Sequence, residues 1–321
     1  MADIKSLMME KFVRRTAIIW VLLLLIIGMT FFSPMFISPG NLLLVVKQST
    51  ITGILGIGMT LVIITGGIDL SVGAVLALSS VCSAMFGGLA AQQLPIIAAI
   101  LAGVFAGLLF GIINGLIISY LNFPSFIMTL ATSMIARGIA KILCNAKPVL
   151  GISDSFKNLA NGFFLGIPNL AVCFAIVFAL GAVLLNKTVL GSRFFAIGGN
   201  EIGARLSGVN TKRVKLIAYT FCGILAGFCG VLMTSRISSG SSITGEGYEL
   251  NAIAAAVIGG TSMSGGVGTI WGTVVGALII GVIQNGLDFM NVSAFYQDII
   301  KGVIIIIAVL MDLNSKNKKS L

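Results

Sequence analysis

The amino-acid sequence predicts an all-α polytopic membrane protein with about ten transmembrane helices and at least one broken or re-entrant segment. Of its 321 residues, 57% are hydrophobic and 9% are charged, and the mean hydropathy is +1.10. Soluble domains carry about 25% charged residues, so a water-soluble fold would have too little polar surface. The 40 glycines agree with this prediction, because small residues let helix backbones approach closely in lipid.

Apolar runs of about the length that spans a bilayer, roughly 17–25 residues, follow one another along the chain. The first has acidic residues in its basic flank and no small-residue cleavage site after it, which indicates an uncleaved anchor. The eighth is too short for a full crossing, and this favours a broken or re-entrant segment. The predicted spans are residues 17–37, 42–66, 71–91, 95–120, 124–144, 168–186, 216–236, 249–261, 269–290 and 296–312.

Basic residues are distributed unevenly among the predicted loops. With the N-terminus inside, the outer loops hold only Lys147 and Lys157. This asymmetry predicts that both termini are cytoplasmic, so the net charge of +10 faces anionic lipid and not nucleic acid. The inner basic residues are Lys5, Lys11, Arg14, Arg15, Lys187, Arg193, Arg205, Lys212, Arg213, Lys215, Lys316, Lys318 and Lys319.

These spans predict a single transmembrane domain, residues 17–312, with a large inner loop at about residues 187–215. A cytoplasmic N-terminal segment, residues 1–16, precedes it, and a basic cytoplasmic tail, residues 313–321, follows it. The interrupted glycine pattern of residues 66–73 recurs at residues 259–266, as in transporters built from repeats. In a glycine-rich chain the match is also compatible with chance.

The composition excludes several kinds of chemistry. The sequence contains no histidine, which removes histidine-based proton relays, HExxH zinc sites and Ser-His-Asp catalysis. The five cysteines lie singly in apolar runs, as packing residues do. The glycine-rich residues 265–272 lack the Gly-Lys-Ser/Thr of a nucleotide-binding loop. We therefore predict no catalytic residue, no metal site, no cofactor and no ATP hydrolysis by this chain alone.

The large inner loop contains the pattern of a short capped helix. Asn200 can cap its start, and Glu201 follows near the positive end of the helix dipole. Ile202 and Leu206 lie four residues apart and form a small apolar face, and Gly208 supplies a stop signal. The residues alone leave two interpretations open, a solvated connector or a helix that docks into a cytoplasmic partner.

A polar, glycine-rich stretch at residues 238–249 leads into the short eighth span. It contains two carboxylates, Glu246 and Glu249. Glu249 near a helix start is favourable because of the helix dipole alone. The alternatives are a contact surface for an external protein or the lining of an entrance.

Asp69 is the single charged residue within residues 48–136. A carboxylate at the bilayer centre costs at least about 2.5–3.5 kcal/mol, so Asp69 either has a function or does not lie at the centre. The predicted orientation places it at the cytoplasmic end of the second span. There Gly66 and Gly67 break the helix, and Asp69 or Ser71 can cap the next one, with the carboxylate near water or near the positive end of that helix.

Polar residues within the predicted spans include Gln48, Asn114, Asn251 and Asn285, which are candidates for a pathway or gate. Hydrogen bonds between helices and the lining of a pathway look alike at this level. Rings of charge are absent, which fits an uncharged polar solute better than an ion.

Three long motifs are similar to those of one family. They are GMTLVIITGGIDLSVG at residues 58–73, GGNEIGARLSG at residues 198–208 and GYELNAIAAAVIGGTS at residues 247–262. In this order they resemble the membrane permeases of bacterial sugar ABC importers, most closely the ribose permeases, over essentially the whole chain. The related branched-chain amino-acid permeases share the architecture and usually lack the GIDLSVG form.

The resemblance implies a multi-pass protein of the bacterial cytoplasmic (inner) membrane that pairs with a second copy to form a pore. It also implies a cytoplasmic ATP-binding-cassette ATPase and an extracytoplasmic sugar-binding protein as partners, and leaves the sugar open. By the same likeness, Glu246, Tyr248 and Glu249 lie near the landing surface of the binding protein. The alternative function is a secondary transporter of a small polar solute, driven by an ion gradient. The residues that the resemblance assigns to coupling with the ATPase are Asn200, Glu201, Ile202, Arg205, Leu206 and Gly208.

Overall fold

A computed structural model describes residues 2–87 and 95–317, with side chains over residues 17–87 and 95–310. A 3₁₀ turn, Pro34–Ile37, and a two-stranded hairpin, β1 (Phe163–Phe164) and β2 (Ile167–Pro168), accompany the α-helices. The helices are α1 (Ala2–Phe32), α2 (Pro39–Ile64), α3 (Val72–Gly87), α4 (Ile96–Tyr120), α5 (Ser125–Leu143), α6 (Asp154–Asn161), α7 (Asn169–Lys187), α8 (Val189–Gly199), α9 (Glu201–Leu206), α10 (Thr211–Ile237), α11 (Tyr248–Ile258), α12 (Ile270–Phe289) and α13 (Ala294–Asn317).

Within the described residues, six helices are long and apolar enough to cross a membrane, namely α2, α4, α5, α7, α10 and α12. The prediction of an all-helical polytopic membrane protein is therefore confirmed. Apolar residues 17–32 of α1 and helices α3 and α11 are shorter than these six.

Several predicted boundaries differ from the structure. The first span ends at Phe32, because Pro34 lacks the N–H that the helix requires and starts a 3₁₀ turn. Its helix begins at Ala2, so residues 2–16 continue α1. Likewise, residues 313–317 continue α13, while Met1, residues 88–91 of the third span and residues 318–321 of the tail lie outside the described residues.

Helices α4 and α10 pack along a seam of glycines that brings their backbones together. Gly103, Gly107 and Gly111 recur every four residues on α4 and face Gly223 and Gly227 of α10. A Cβ atom at Gly107 would collide with the Gly223 carbonyl and would lie 2.6 Å from the Gly227 Cα. Such small-residue seams permit close helix approach in lipid, and this pair holds α10 at the centre of the bundle.

Two helices are interrupted inside the bundle, and their ends have the same geometry. Gly66 after α2 and Gly260 after α11 both adopt positive φ, +84° and +87°. The following residues, Gly67 and Thr261, donate back to Val62 O and Ala256 O, in the 6→1 pattern of a Schellman cap. Glycine reaches this left-handed conformation without the steric cost of a Cβ. The sequence repeat, which aligns Gly66 with Gly259, is therefore displaced by one residue from the structural match.

Helix α3 starts within the bundle and not at its end. It runs beside α10, with Ser80 Oγ lying 2.8 Å from Thr234 Oγ1. At 1.5 Å per residue, Val72 then lies about 20 Å along α10 from the first residue of that helix. Helix α11 starts at the same depth, because a Cβ at Gly73 would collide with the Glu249 carboxylate.

Residues 238–247 return from the end of the bundle that carries α6 toward its interior. Gly240 forms an antiparallel bridge with Val149, and Gly245 packs against Leu76 of α3. Helix α11 continues for 11 residues, about 16 Å, which is too short to cross a hydrocarbon core of about 30 Å. The structure therefore contains the short eighth segment that the sequence predicts.

Candidate functional site

Helix α9 is an exposed, capped helix at the end of the bundle opposite α6. Asn200 Oδ1 accepts a hydrogen bond from Gly203 N at 2.9 Å, and Gly208 ends the helix at φ +82°. Ile202 is 72% exposed and Leu206 is 84% exposed. The geometry thus matches the capped helix expected from the sequence, with its apolar pair directed away from the chain.

The charged residues of α9 are paired within the chain. Glu201 Oε2 accepts a hydrogen bond from Lys215 Nζ at 2.6 Å, and Arg205 Nη2 lies 3.6 Å from Glu201 Oε1. Partial burial raises the pKa of Glu201, but the hydrogen bond and charge of Lys215 and the contributions of Thr211 and Arg205 bring it below its ordinary value. The ion pairs therefore persist above that value and are lost as the pH falls through the lowered pKa.

The helix before α9 was not predicted from the sequence. Helix α8 is capped by Thr188, whose Oγ1 accepts from Gly191 N at 3.2 Å, and it buries Phe194 and Ile197. The signal was present in Thr188, a preferred capping residue that precedes an apolar run. The buried side chains of α8 therefore anchor α9 to the bundle.

The end of α8 contacts the end of α2 and the loop between α11 and α12 through backbone atoms. A Cβ at Gly198 would collide with Ile64 O, at the end of α2, and with Gly266 N, in the loop between α11 and α12. Gly266 N also donates to Ile64 O at 2.9 Å. A displacement of α8 and α9 therefore acts directly on the end of α2 and on the loop between α11 and α12.

Asp69 caps the turn that leads into α3. Its Oδ1 accepts hydrogen bonds from Ser71 N at 2.9 Å and from Ser71 Oγ at 2.6 Å, and Asn114 Nδ2 donates to Ser71 Oγ at 2.9 Å. Asp69 is only 1% exposed, so of the two expected positions the carboxylate has the one at the start of α3 and not the one near water. The interrupted turn folds back into the bundle, and α4 and α5 cover it.

We expect Asp69→Asn to retain most of the wild-type transport rate, because the amide oxygen can still accept from Ser71. Asp69→Ala removes the cap and should lower the free energy of unfolding by about 0.5–2 kcal/mol, the usual range for such caps. Transport assays in proteoliposomes and thermal unfolding in detergent measure the two effects. Loss of transport in a stable Asp69→Asn protein would instead indicate that the carboxylate carries an ion.

The three candidates for contact with an external protein do not share one surface. Glu246 is exposed, whereas Tyr248 and Glu249 are partly buried where α11 begins beside α3. Gly73 lies 14 residues before the end of α3 at Gly87, which places Glu249 about 20 Å below that end. The expected outer position is therefore wrong for Tyr248 and Glu249, because residues 238–247 descend into the bundle.

The four candidate pathway residues occupy different environments. The Asn114 amide is buried at the Asp69 turn, and Asn285 Oδ1 accepts from Asn41 Nδ2 at 2.9 Å. Asn285 thus joins α12 to α2, and Asn114 joins α4 to the turn before α3. Such packing hydrogen bonds were the expected alternative to the lining of a pathway. Gln48 is partly buried, and Asn251 lines a small cavity between α11, α12 and α13.

Arg137 on α5 is a charged residue within a span that the predicted set of pathway residues does not include. Its Nη1 donates to Ser242 O at 2.6 Å, which ties α5 to the stretch of residues 238–247. An ionisable group within a span is by default a functional candidate. The signal that could have found it is the spacing of polar residues on α5, which recur every four positions up to Arg137.

Comparison with known proteins gives a consistent family. Residues 41–309 match the family model described as "Branched-chain amino acid transport system / permease component". The chain is 46% identical to the ribose import permease protein RbsC of Bacillus subtilis (strain 168), over 91% of this chain and 90% of that protein. It is 42% identical to RbsC of Escherichia coli (strain K12), over 93% and 92%.

A third relative is the D-allose transport system permease protein AlsC of Escherichia coli (strain K12), which is 37% identical over 86% of this chain and 84% of that protein. No solved structure matches. The family match extends from the start of α2 into α13 and includes both interrupted turns and α9. The chain therefore belongs to the family of permease components typified by the branched-chain amino acid transport systems.

Proposed function

We propose that this chain is the membrane permease subunit of a bacterial ABC importer for ribose or a similar monosaccharide, in the cytoplasmic (inner) membrane. The relatives named as ribose and allose permeases support the sugar class. One observation of the structure carries the proposal. A capped helix with two exposed apolar side chains is joined through α8 to the end of α2 and to the loop that follows α11.

The proposal assigns α9 to a cytoplasmic ATP-binding-cassette ATPase. Ile202 and Leu206 would insert into an apolar groove of this partner, while Glu201 and Arg205 fix the helix against Lys215. A helix of six residues is marginal alone, and a partner surface stabilises it. ATP hydrolysis belongs to that partner, since the sequence contains no nucleotide-binding loop of its own.

The remaining assignments follow the same proposal. Ten spans place both termini and α9 in the cytoplasm, and a transmembrane domain of residues 17–312 pairs with a second copy in the lipid bilayer to form the pore. An extracytoplasmic sugar-binding protein delivers the sugar at the α6 end, and the exposed Glu246 lies on the stretch of residues 238–247 that leads inward from that end. No partner is a nucleic acid.

The mechanism is alternating access driven by rigid-body movement. Closure of the ATPase moves α9 with α8, and the backbone contacts of Gly198 transfer this movement to Ile64 and Gly266. The turn after α2 and the loop after α11 then shift as discrete units. This follows because packed interfaces switch between arrangements and do not deform continuously. Uptake of sugar follows from this switch without chemistry in the permease.

Reconstitution tests the proposal directly. Proteoliposomes that contain the permease, its ATPase and its binding protein should accumulate radiolabelled ribose with ATP, and omission of any one component should reduce uptake to background. Permease-only vesicles under a proton or sodium gradient serve as the comparison. Gradient-driven uptake by the permease alone would identify a secondary transporter and overturn the proposal.

A further inference from the structure

Helix α5 carries a polar side chain at every fourth residue along its whole length. These residues are Ser125, Thr129, Ser133, Arg137 and Lys141, in a helix whose other side chains are mainly apolar. Residues four apart lie one above the other on a helix surface, so the five side chains form a continuous polar ridge. A helix that only contacted lipid and core would not need such a ridge.

The ridge contacts the turn before α3 near its start and the stretch of residues 238–247 at Arg137. The hydroxyls near the α5 N-terminus accept hydrogen bonds from the backbone N–H groups of Ile68 and Leu70, at 3.4 and 3.1 Å. Farther along, Arg137 Nη1 donates to Ser242 O at 2.6 Å. The polar ridge therefore lies along a seam between α5 and two stretches of non-helical backbone, the turn before α3 and residues 238–247.

Two charged groups of this seam lie within the depth of the membrane. Arg137 precedes the end of α5 by six residues, about 9 Å, and Glu249 lies about 20 Å below the end of α3. Both side chains are partly exposed. Glu249 Oε2 is a buried atom that has no hydrogen-bond partner among the described residues, and the stretch that Arg137 binds at Ser242 leads into Glu249 at the start of α11.

We propose that Arg137 and Glu249 form a binding station for the sugar inside the translocation pathway, with the hydroxyls of the α5 ridge on one side of it. The inference rests on the proposed function and assigns a site to it. Sugar hydroxyls both donate and accept hydrogen bonds. Arg137 supplies donors to them, Glu249 supplies acceptors, and charged partners strengthen such bonds.

The opposite charges suit a neutral solute. A lone carboxylate or guanidinium would attract ions, whereas this pair sums to zero and leaves hydrogen bonding as the main attraction. An intramembrane charge costs several kcal/mol on most estimates and persists at functional positions. The tie from Arg137 to Ser242 also holds the arginine in place, so the station is fixed before the sugar arrives.

The test compares sugar uptake with ATP hydrolysis in the reconstituted importer, with Arg137→Gln and Glu249→Gln as variants. We expect uptake to fall at least 10-fold while ATP hydrolysis stimulated by the binding protein changes by less than twofold. The ATP consumed per sugar should therefore rise at least about fivefold. Asp298→Asn, an exposed change on α13, is the control and should leave both rates unaltered.

The outcomes separate this inference from the proposed function. If the wild-type importer takes up sugar and both variants do so within twofold, the station is excluded while the function stands. A parallel fall of uptake, ATP hydrolysis and melting temperature would show a structural role and would also overturn the station. Arg137→Lys and Glu249→Asp should restore part of the uptake, and Glu249→Gln alone carries the test if Arg137→Gln does not fold.

Discussion

Replacing both Ile202 and Leu206 with aspartate is expected to abolish ATP-driven sugar uptake by separating the permease from its ATPase. Each side chain buried in a partner groove contributes about 1.5–3 kcal/mol, so loss of both should weaken binding more than about 100-fold. Neither residue is part of the core, since they are 72% and 84% exposed. The variant should therefore insert and fold as the wild type does.

Copurification of the ATPase with the permease in detergent, together with uptake in proteoliposomes, measures this effect. Leu165→Asp is the matched control, because Leu165 is 87% exposed at the tip of the β1–β2 hairpin, away from α9. The control should retain the ATPase. If the double variant also retained it, α9 would be a solvated connector and the docking assignment would be withdrawn.

Replacing Gly107 with valine is expected to prevent accumulation of folded protein in the membrane. The new side chain would enter the space occupied by the backbone of Gly223 and Gly227. Overpacking a close-packed interior costs about 1–3 kcal/mol, occasionally more, and here the obstacle is backbone that cannot rotate away. The helices α4 and α10 would have to separate along their whole seam.

The amount of protein that elutes as a single species in detergent, and its melting temperature, check this result. Gly138→Val on α5 is the control, because a Cβ at Gly138 meets no atom within 4 Å. Both changes carry the same cost in helix propensity, so their difference reports packing alone. Equal stability of the two variants would contradict the close contact between α4 and α10.

The features that could be predicted from the sequence depend on neighbours in the chain. Asn200 and Gly208 bound α9 through contacts of three to five residues, so the capping pattern was sufficient to find it. Gly66 is predictable as a helix break because the left-handed conformation favours glycine. Composition and span length were sufficient for the membrane class.

The features that could not be predicted depend on residues far apart in the sequence. The position of Glu249 is set by Gly73, and the start of α3 by the pairing of Ser80 with Thr234. A charge count per loop gives the side of the membrane and carries no information on depth. The burial of Asp69 and the inward path of residues 238–247 both follow from such distant contacts.

The junction of Gly198, Ile64 and Gly266 has a consequence for how such importers diversify. Its atoms in contact are backbone atoms, so the junction constrains residue size at Gly198 and is indifferent to the chemistry of the pathway. The side chains proposed to bind the sugar, Arg137 and Glu249, are not part of these backbone contacts, so they can change without altering the coupling of α8 to α2. On the proposed assignment, the same coupling contact can serve permeases for different solutes, with a new specificity acquired by substitution of the side chains that bind the solute.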